Sequence, residues 1–448
     1  MLGHSPNPGD SSPLACDIVV IGAGPAGSTA AILLAEKGFR VVLLEKEAHP
    51  RFHIGESLLP ANVPLLDRLG VRAQVDAIGM QKWGAEFQSP WHARGSTFQF
   101  SDALDKSMPF SYQVRRSEFD EILFRRAAQA GAQTLENCRV REVDLGDRDR
   151  PPVVRATGPD GAEREWHARF VIDATGRDTL LAKHLGIKRR NSRHNSAAMY
   201  GHFRDASRLP GRDEGNITIF WFEHGWFWFI PLRDGATSVG AVVWPYYMKS
   251  RAKPLPAFFQ DTIAMCAPLA QRLAHATLVS EVEATGNYSY AADICQGENF
   301  ILLGDAFAFI DPVFSSGVWL AMNSAEAGVG VVEARLREPA RESACRREFE
   351  RVMRRGPKLF SWFIYRVTNP TMRDLFMDPS NAGQIRSAIL SVLAGDIFGR
   401  TPLARPLALF QAVYYAMSFA NLRRSVAAWR RRAFNIRDDS AMRPRGGD

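Results

Sequence analysis

The stretch Asp17-Ile-Val-Val-Ile-Gly22-Ala-Gly24-Pro-Ala-Gly27 decides the fold of the N-terminal part of this 448-residue chain. Its apolar run is short and ends in glycines, which is typical of a buried parallel strand. Helical spacing follows from Pro25 to about Lys37, and a second buried strand is expected at Val41–Leu44. The stretch therefore predicts a β-α-β unit with a glycine turn between its first strand and its helix.

The glycines and the acid of this unit predict a nucleotide-binding site. Gly22 permits the tight turn, Gly24 lets the backbone approach a pyrophosphate, and Gly27 allows the helix to pack closely on the strand. The first turn of the helix, which includes Ala26, offers unpaired N–H groups to phosphates. Glu45 ends the second strand, at the distance where an acid bonds the hydroxyl pair of a ribose. We therefore expect the unit to bind a dinucleotide.

Three later segments favour FAD over NAD as that dinucleotide. Arg116 precedes an amphipathic helix that is expected from Ser117 to about Ala130. Asp173-Ala-Thr-Gly176 is a second glycine turn at the end of a strand, and Gly304-Asp305 places a carboxylate at the end of a third strand. Each segment alone is an ordinary loop, but the three in this order indicate an FAD-binding domain.

Composition and charge exclude several classes of protein. The apolar fraction is 46% and the charged fraction 23%, which are ordinary globular values. Five scattered cysteines without a CxxC pair argue against a disulfide framework or a structural metal site. The net charge of +8 is compatible with an acidic carrier protein as partner, but no basic arm interleaved with aromatics predicts nucleic-acid binding.

The chain shows no targeting or membrane-spanning pattern. Its N-terminus lacks the features of a secretory signal, and no apolar stretch is long enough to span a bilayer. The basic amphipathic run Leu422–Arg432 is more typical of a solvated helix face than of membrane contact. We therefore expect a cytoplasmic protein that does not contact membranes.

The predicted fold class is α/β, with a doubly wound FAD-binding domain, an inserted antiparallel substrate-side sheet and a C-terminal helical region. Alternation of aromatic and β-branched with polar residues from about Asn195 to Trp244 predicts half-buried antiparallel strands for the insert. The expected boundaries are a disordered tail at 1–15, the FAD-binding domain at 16–336 in pieces of about 16–85, 112–187 and 280–336, the insert at about 86–111 and 188–279, and the helical region at 337–448.

At the segments quoted above, the chain resembles the flavoprotein monooxygenases. The resemblance implies that FAD lies between two lobes, with Arg116 near its ribityl or phosphate region. It also implies that the turn at Asp173 belongs to the cofactor site and that Gly304 and Asp305 contact the pyrophosphate–ribityl region.

Two further motifs narrow the resemblance to the FAD-dependent halogenases. Gly55-Glu-Ser57-Leu-Leu-Pro60 follows the first β-α-β unit, and Trp226-Phe-Trp228-Phe-Ile-Pro231 lies in the insert. The likeness spans roughly residues 16–335 and places Ser57 among the cofactor-binding residues. It implies that a partner flavin reductase supplies FADH₂, and that O₂ and chloride or bromide then yield hypohalous acid.

The resemblance assigns the two indoles and one turn to this chemistry. Trp226 and Trp228 would keep the organic substrate away from the flavin, although two tryptophans on a strand are ordinarily core residues. Backbone N–H groups at Ser316 and Gly317 would bind halide, because successive N–H groups in a turn form an anion-binding nest. A loop that merely positions the flavin is the alternative for this turn.

Lys82, in Lys82-Trp-Gly-Ala-Glu-Phe87, is the residue that would steer the hypohalous acid to the substrate. A lysine can donate a hydrogen bond to this acid, or capture the halogen as an N-haloamine if burial lowers its pKa. The sequence leaves that choice open. A lone lysine is ordinarily a surface residue, so the assignment depends on the resemblance.

Phe314 departs from the tryptophan-halogenating members, which carry a glutamate at the matching position. The departure resembles the branch that acts on phenols and pyrroles, some of them tethered to an acyl or peptidyl carrier protein. The expected function is therefore a halogenase of secondary metabolism, such as antibiotic biosynthesis. The alternatives are an FAD-dependent aromatic hydroxylase, a lipid reductase of the geranylgeranyl type and, least favoured, a flavin-binding protein without activity.

Overall fold

The structure is a computed structural model and describes residues 14–436, apart from residues 148, 192, 287–288 and 400. Strands β1–β22 and helices α1–α14 are numbered along the chain within these residues. The predicted disordered tail falls largely on residues 1–13, which lie outside the described part. Its last two residues, Leu14 and Ala15, instead form strand β1, because they pair in parallel with Trp166 and His167.

A parallel five-stranded sheet forms the centre of the cofactor half. Its strands, in spatial order, are β21 (Phe300–Leu302), β12 (Phe170–Asp173), β2 (Ile18–Ile21), β3 (Val41–Leu44) and β8 (Gln133–Leu135). All residues of β2, β3, β12 and β21 are buried. Continuous burial of this kind requires cover on both faces of a sheet. The predicted α/β class is thereby confirmed, and the expected strand ends differ by a residue at most.

Helices α1 (Pro25–Glu36), α4 (Arg116–Gln129) and α9 (Gly317–Arg337) belong to this half, and α1 packs against both of the others. Short helices α2 (Asn62–Arg68), α3 (Arg72–Ile78) and α5 (Leu180–His184) complete it. The expected ends of the three long helices again agree to within about one residue.

Three small sheets flank the parallel sheet, and sequence patterns did not predict them as sheets. Their strands are β1, β11 (Glu163–His167), β10 (Val153–Thr157) and β9 (Arg139–Asp144) in the first, β13 (Lys188–Arg190), β20 (Tyr290–Ala292) and β22 (Ala308–Phe309) in the second, and β4 (Met80–Lys82) with β7 (Ser111–Gln113) in the third. The β4–β7 pair positions a predicted site residue, because Lys82 lies on β4 opposite Ser111.

The predicted insert is an eight-stranded, mostly antiparallel sheet. In spatial order it contains β18 (Thr277–Leu278), β14 (Ala197–Arg204), β17 (Thr237–Val243), β16 (Gly225–Pro231), β15 (Ile217–Phe222), β5 (Gly84–Gln88) and β6 (Ser96–Gln99), and β19 (Glu283–Gly286) also pairs with β14. The sheet therefore takes a few residues on either side of the expected insert boundaries.

The central strands of this sheet are buried on both faces, so the prediction of half-buried strands was wrong. On β16, Trp226 and Trp228 belong to the main core that is shared with the cofactor half. The alternate residues Phe227 and Phe229 belong to a second core. That core includes side chains of the helical segment that follows β17, namely α6 (Pro245–Lys249), α7 (Leu255–Ala264) and α8 (Ala267–Arg272). Alternation of polar and apolar residues along the strands could not predict that a later helical segment covers their second face.

The C-terminal region is helical, as predicted, up to the last described residue. Its helices are α10 (Pro339–Ile364), α11 (Pro370–Met377), α12 (Ile385–Leu393), α13 (Ala404–Ala420) and α14 (Leu422–Asn435). Residues 437–448 of the predicted helical region lie outside the described part. Across residues 14–436, with their gaps, none of the helices has the length and apolar character needed to cross a membrane.

Gly240 makes room for one of the two indoles, because it pairs in register with Trp228. A Cβ at Gly240 would lie 2.1 Å from a ring carbon of Trp228. We expect Gly240→Ala to lower the free energy of unfolding by about 1–3 kcal/mol, the usual cost of overpacking a core. Urea denaturation measures this loss.

The matched control for that variant is Gly286→Ala on β19, where a Cβ meets nothing within 4 Å. This control should stay within about 0.5 kcal/mol of the wild type. Equal stability of the two variants would show that the indole has other space to occupy.

Candidate active site

The glycine turn after β2 adopts a conformation that only glycines allow. Gly22 has a φ of +97°, and a Cβ there would lie 2.5 Å from the carbonyl oxygen of Ala174. A Cβ at Gly27 would lie 1.9 Å from the oxygen of Gly22. By contrast, the nearest atom to a Cβ at Gly24 is an Arg51 nitrogen at 3.9 Å. Gly22 and Gly27 therefore allow close packing of the backbone, whereas Gly24 leaves open the space into which a ligand fits.

This turn opens on a long cleft at the carboxyl ends of the parallel strands. The cleft lining includes Gly22, Gly24, Ala26, Glu45, Arg51, His53, Arg116, Thr175, Arg177, Asp305, Gly317 and Val318. In doubly wound sheets this edge is the usual ligand site. Helix α1 begins there with no side chain capping its first N–H groups, so these donors remain for an anionic ligand.

Glu45 braces the glycine turn from the end of β3. Its Oε2 accepts a hydrogen bond of 2.9 Å from the N–H of Ala23, and Arg51 lies 3.3 Å from the same oxygen. The carboxylate also lines the cleft. Its predicted bond to a ribose stays a prediction, and its contact with the turn is a second use that spacing alone did not show.

Arg116 is fixed in the cleft wall by a buried ion pair. Its Nε and Nη2 donate to the two carboxylate oxygens of Asp120 at 2.8 and 2.9 Å, and its Nη1 donates to the carbonyl of Ile54 at 3.0 Å. Burial opposes ionisation of Asp120, yet Arg116 and Arg51 hold its pKa below the usual value. The site therefore has a rigid cation in its wall, in line with the predicted contact to phosphate or ribityl groups.

The two aspartates at strand ends have different surroundings. Asp173 accepts hydrogen bonds from the backbone and hydroxyl of Thr175 and from the N–H of Leu181, and it does not line the cleft. Asp305 does line the cleft, where burial raises its pKa to about 6. Asp305 thus remains a cofactor-binding candidate, whereas the contacts of Asp173 shape the turn behind the cleft.

Three of the other predicted cofactor residues lie next to the cleft without lining it. Gly27 and Gly304 permit close backbone packing, and a Cβ at Gly304 would lie 2.9 Å from the Cβ of Ala321. Ser57 points elsewhere, because its hydroxyl accepts a hydrogen bond from Lys82. Direct contact of these three residues with FAD stays a prediction.

Lys82 is a fully buried amine without a carboxylate partner among the described residues. It is 1% exposed, and its Nζ donates to the Ser57 hydroxyl at 2.9 Å and to the carbonyl of Leu58 at 2.8 Å. The ring of Phe100 lies 5.4 Å away. Burial lowers the pKa of Lys82 to about 7, so both the ammonium and the free amine exist near neutral pH.

The Gly-Glu-Ser segment links this lysine to the cleft. Ile54 bonds Arg116 in the cleft wall, and Ser57, three residues later, bonds Lys82. Three extended residues span at most about 11 Å. The lysine therefore lies close to the cleft, at the far end of this segment.

The two indoles of the hexapeptide lie side by side on one face of β16. The ring centroids of Trp226 and Trp228 are 6.1 Å apart, and Trp228 donates its indole N–H to the Ser238 hydroxyl at 3.1 Å. Both side chains are at least nine-tenths buried and pack into the main core. Neither side chain lines the cofactor cleft, and their role in separating substrate from flavin stays a prediction.

The predicted halide turn precedes helix α9. Ser315 has a φ of +55°, an unusual value for a residue other than glycine, and Ser316 follows as the N-terminal cap. The hydroxyl of Ser316 is buried and has no partner among the described residues, while Gly317 lines the cleft. The first N–H groups of α9 have no acceptor within the helix. The turn therefore offers donors to a small anion.

A buried polar network that sequence reasoning missed supports this turn. Asp311 accepts hydrogen bonds from the N–H of Val313 at 3.2 Å, from a ring nitrogen of His194 at 3.0 Å and from the Ser196 hydroxyl at 3.2 Å. His194 lies 117 residues before Asp311, so no local spacing could have found it. A second such pair joins Glu56 to His202 at 3.0 Å.

Phe314 is buried in an aromatic cluster rather than being free in the turn. Its ring lies 5.9 Å from Phe363 and 6.3 Å from Phe376, and Phe376 lies 5.0 Å from Phe87 on β5. The position where tryptophan-halogenating members carry a glutamate is therefore apolar here, and it is packed against the C-terminal helices.

Residues 15–345 match the FAD binding domain family, which defines the chain as an FAD-binding flavoprotein and agrees with the cleft. The chain is 35% identical over 376 residues to the flavin-dependent halogenase gsfI of Penicillium aethiopicum, covering 78% of this chain and 70% of that protein. This chain belongs to the flavin-dependent halogenase family, and the resemblance on which the site assignments depend is thereby confirmed.

Other relatives differ in their substrates. A tryptophan 2-halogenase of Chondromyces crocatus is 37% identical over 333 residues, with 70% of this chain and 60% of that protein covered. A 1H-pyrrole-2-carbonyl-[peptidyl-carrier protein] chlorinase of Pseudomonas fluorescens is 29% identical over 405 residues, with 85% and 89% covered.

Among solved structures, the myxobacterial chondrochloren halogenase CndH superposes with a TM-score of 0.76. It is 35% identical, with 87% of this chain and 92% of that chain covered. The similarity in fold thus covers more of the chain than the family match at residues 15–345.

Gly24→Val should abolish FAD binding while the protein stays folded. The added methyl groups would occupy the space in the cleft that Gly24 leaves open. Flavin absorbance of the purified protein after equilibrium dialysis against FAD measures the loss. Gly330→Ala on α9, where a Cβ meets nothing within 4 Å, is the control and should load normally. A Gly24→Val protein loaded like the wild type would contradict this use of Gly24.

Lys82→Met should remove one pH dependence of stability. The pKa of Lys82 is about 7 in the folded protein, below the value of about 10.4 in unfolded chains. Between these values the unfolded chain binds more protons, so stability rises with pH by at most about 1.4 kcal/mol per pH unit. Urea denaturation of both proteins at several pH values above 7 should show the wild type gaining on the variant. Parallel profiles would mean that the amine is not desolvated.

Proposed function

We propose that this enzyme uses FADH₂, O₂ and chloride or bromide to form hypohalous acid, and that it halogenates an electron-rich aromatic substrate, a phenol or a pyrrole. The observation that carries the proposal is the buried Lys82 amine. It has no acidic partner among the described residues and is only 1% exposed, and it lies one short segment away from the cofactor cleft. An amine in such a place is unnecessary for a structural role, because burying it is costly.

The cofactor cleft fits FAD on the chemistry of its donors and on its shape. Gly24 leaves the backbone open, α1 offers uncapped N–H groups, and Arg116 supplies a fixed cation for phosphate or ribityl oxygens. Asp305 is placed for a hydroxyl group of the cofactor. Bound in reduced form, FAD supplies the electrons that convert O₂ and halide into hypohalous acid and water.

Two features keep the reactants apart and in place. Ser316 and Gly317 offer the halide desolvated donors at the start of α9, at the cleft wall. Trp226 and Trp228 belong to the main core beside the cofactor half, and they would keep the arene away from the flavin. Under this arrangement the hypohalous acid reaches the arene, and the flavin does not.

Lys82 acts at the end of that path. As ammonium it donates a hydrogen bond to the hypohalous acid and polarises the oxygen–halogen bond. As free amine it bonds the halogen through its nitrogen, while the oxygen–halogen bond breaks and the oxygen leaves as water with one amine proton. The halogen then passes to the ring carbon, and the ring proton returns to the amine nitrogen. Its pKa of about 7 supports either form, and the Ser57 hydroxyl and the Leu58 carbonyl orient the amine in both.

The apolar surroundings of Phe314 favour phenols and pyrroles over free tryptophan as substrates. Such rings are activated by their own OH or NH and need less help from a carboxylate of the protein. The tryptophan 2-halogenase relative makes tryptophan the first competing substrate to test. The carrier-linked pyrrole chlorinase supports a substrate tethered to an acyl or peptidyl carrier protein as the alternative to a free one.

The proposed partners follow from the reaction. A separate flavin reductase supplies FADH₂, and the aromatic product belongs to secondary metabolism. The proposed compartment is the cytoplasm, with no nucleic-acid or membrane partner.

The decisive experiment is mass spectrometry of reactions that contain the enzyme, FAD, a flavin reductase and a panel of phenols, pyrroles and tryptophan. We expect a product whose mass changes when bromide replaces chloride. A product that gains oxygen without halide would identify a hydroxylase instead. Turnover of a lipid double bond in the absence of O₂ would identify a lipid reductase.

Lys82→Met should abolish halogenation while FAD binding is kept, since Lys82 does not line the cleft. Lys106→Met is the control, because Lys106 is exposed and bonds only the Ser101 carbonyl. Product yield at equal FAD loading is the measurement. Halogenation by the Lys82→Met protein at the wild-type rate would remove Lys82 from the mechanism.

A further inference from the structure

A second cavity of about 460 Å³ lies between the β15–β16 turn, α11 and α14. Its walls include three tryptophans and four arginines, namely Trp91, Trp221, Trp244, Arg373, Arg424, Arg431 and Arg432. It shares no lining residue with the cofactor cleft. We call it the arginine cavity.

Two of the four arginines are already neutralised. Arg424 pairs with Asp374 at 2.6 Å, and Arg431 pairs with Glu223 at 2.8 Å. Arg373 and Arg432 form no ion pair with any described residue. The walls of the arginine cavity therefore have two positive charges, on Arg373 and Arg432, that no ion pair with a described residue neutralises.

Arg373 is a buried guanidinium without a hydrogen-bond acceptor. The residue is 8% exposed, and its side chain lies flat over the Trp91 ring at 3.8 Å. Within the described part of the chain, no oxygen accepts a hydrogen bond from it, and its Nε is fully buried. Burial lowers the pKa of Arg373 to about 10. A buried charge without a partner is costly, so a ligand that supplies an anion is the direct way to satisfy it.

Arg432 adds a second cation from α14. It donates to the carbonyl of Arg193 at 2.9 Å, and its guanidinium lies 5.1 Å from the centre of the Tyr365 ring. Burial lowers its pKa to about 10 as well. One of its donors is thus committed to backbone, and the charge itself remains unpaired.

The aromatic walls connect the arginine cavity to the proposed reaction site. Trp221 pairs in register with Trp226 across the β15–β16 hairpin, so the two indoles share one face of the sheet. Trp244 lies 6.0 Å from His194, which bonds Asp311 beside the predicted halide turn. The cavity therefore lies next to both the indole pair and the turn, apart from the cofactor cleft.

We propose that the arginine cavity binds the oxyanion of the aromatic substrate, either a carboxylate on the ring or the phosphodiester of a pantetheine arm that carries it. Arg373 presents a planar set of donors that suits either group, and Arg432 supplies the second charge. The tryptophans contact the apolar part of the ligand. The identity of this ligand as the substrate rests on the proposed function, but its binding can be measured without any reaction.

The test measures binding of para-hydroxybenzoate and of its neutral analogue para-hydroxybenzamide to the FAD-loaded protein by calorimetry in chloride-free buffer. We expect the acid to bind at least about tenfold more tightly than the amide, because charged hydrogen bonds are worth more than about 1.5 kcal/mol. Arg373→Gln and Arg432→Gln should each reduce this preference. Arg430→Gln, an exposed position on α14 outside the cavity, should keep it.

Phosphopantetheine is the second probe and separates the two sources of oxyanion. Tighter binding of phosphopantetheine than of para-hydroxybenzoate, lost in Arg373→Gln, supports the tethered arm, and the opposite order supports the free acid. Equal binding of acid and amide, or an acid preference that survives in both arginine variants, overturns the proposal. Chloride that binds with the same dependence on Arg373 and displaces both probes also overturns it, since the site would then hold halide.

Arg373→Met gives a readout that a packing role would not produce. Removing an uncompensated buried charge should raise the thermal midpoint of the ligand-free protein and abolish the further rise that para-hydroxybenzoate gives the wild type. A lower midpoint would show that Arg373 is held for packing on Trp91, against the proposal.

If halogenation fails while the acid preference holds, the proposed function is wrong and the anion site stands. The reverse result removes only the anion site.

Discussion

The candidate active site is built around the burial of the Lys82 amine, whose hydrogen-bond partners among the described residues are neutral. Ser57 and the carbonyl of Leu58 orient the amine, but neither gives it a counter-charge. Desolvation is therefore uncompensated, and it sets the pKa near neutrality. The geometry that achieves this is local, since the strand with Lys82 pairs with β7 and the Gly-Glu-Ser segment passes between it and the cleft.

The fold of the cofactor half could be predicted from the sequence because its sequence signals are local. The glycine turn, the two buried strands and Glu45 lie within 29 residues of one another, from Asp17 to Glu45. Backbone sterics fix what each glycine can do, as the 2.5 Å contact at Gly22 shows. The roles of individual side chains were harder to predict. Ser57 was predicted as a cofactor-binding residue, and the structure shows in addition that its hydroxyl accepts a hydrogen bond from Lys82. A spacing pattern identifies a segment, but it does not tell which way each side chain in that segment points.

Features that are assembled from distant segments could not be predicted from sequence spacing either. Asp311 is bonded by His194 and Ser196, which come from another part of the chain, so no spacing predicted that these side chains meet. The arginine cavity draws on a strand hairpin and two C-terminal helices. Arg373 and Arg432 look like ordinary surface arginines in sequence, and only the fold shows that they line one cavity without an ion-pair partner among the described residues.

The two faces of β16 contact different parts of the molecule, and this has a consequence for what a substitution there would disturb. Trp226 and Trp228 belong to the core shared with the cofactor half, whereas Phe227 and Phe229 belong to the core that includes the helices behind the sheet. A change at an odd-numbered position of this strand therefore acts first on the packing of those helices. A change at an even-numbered position acts first on the core that borders the cofactor half.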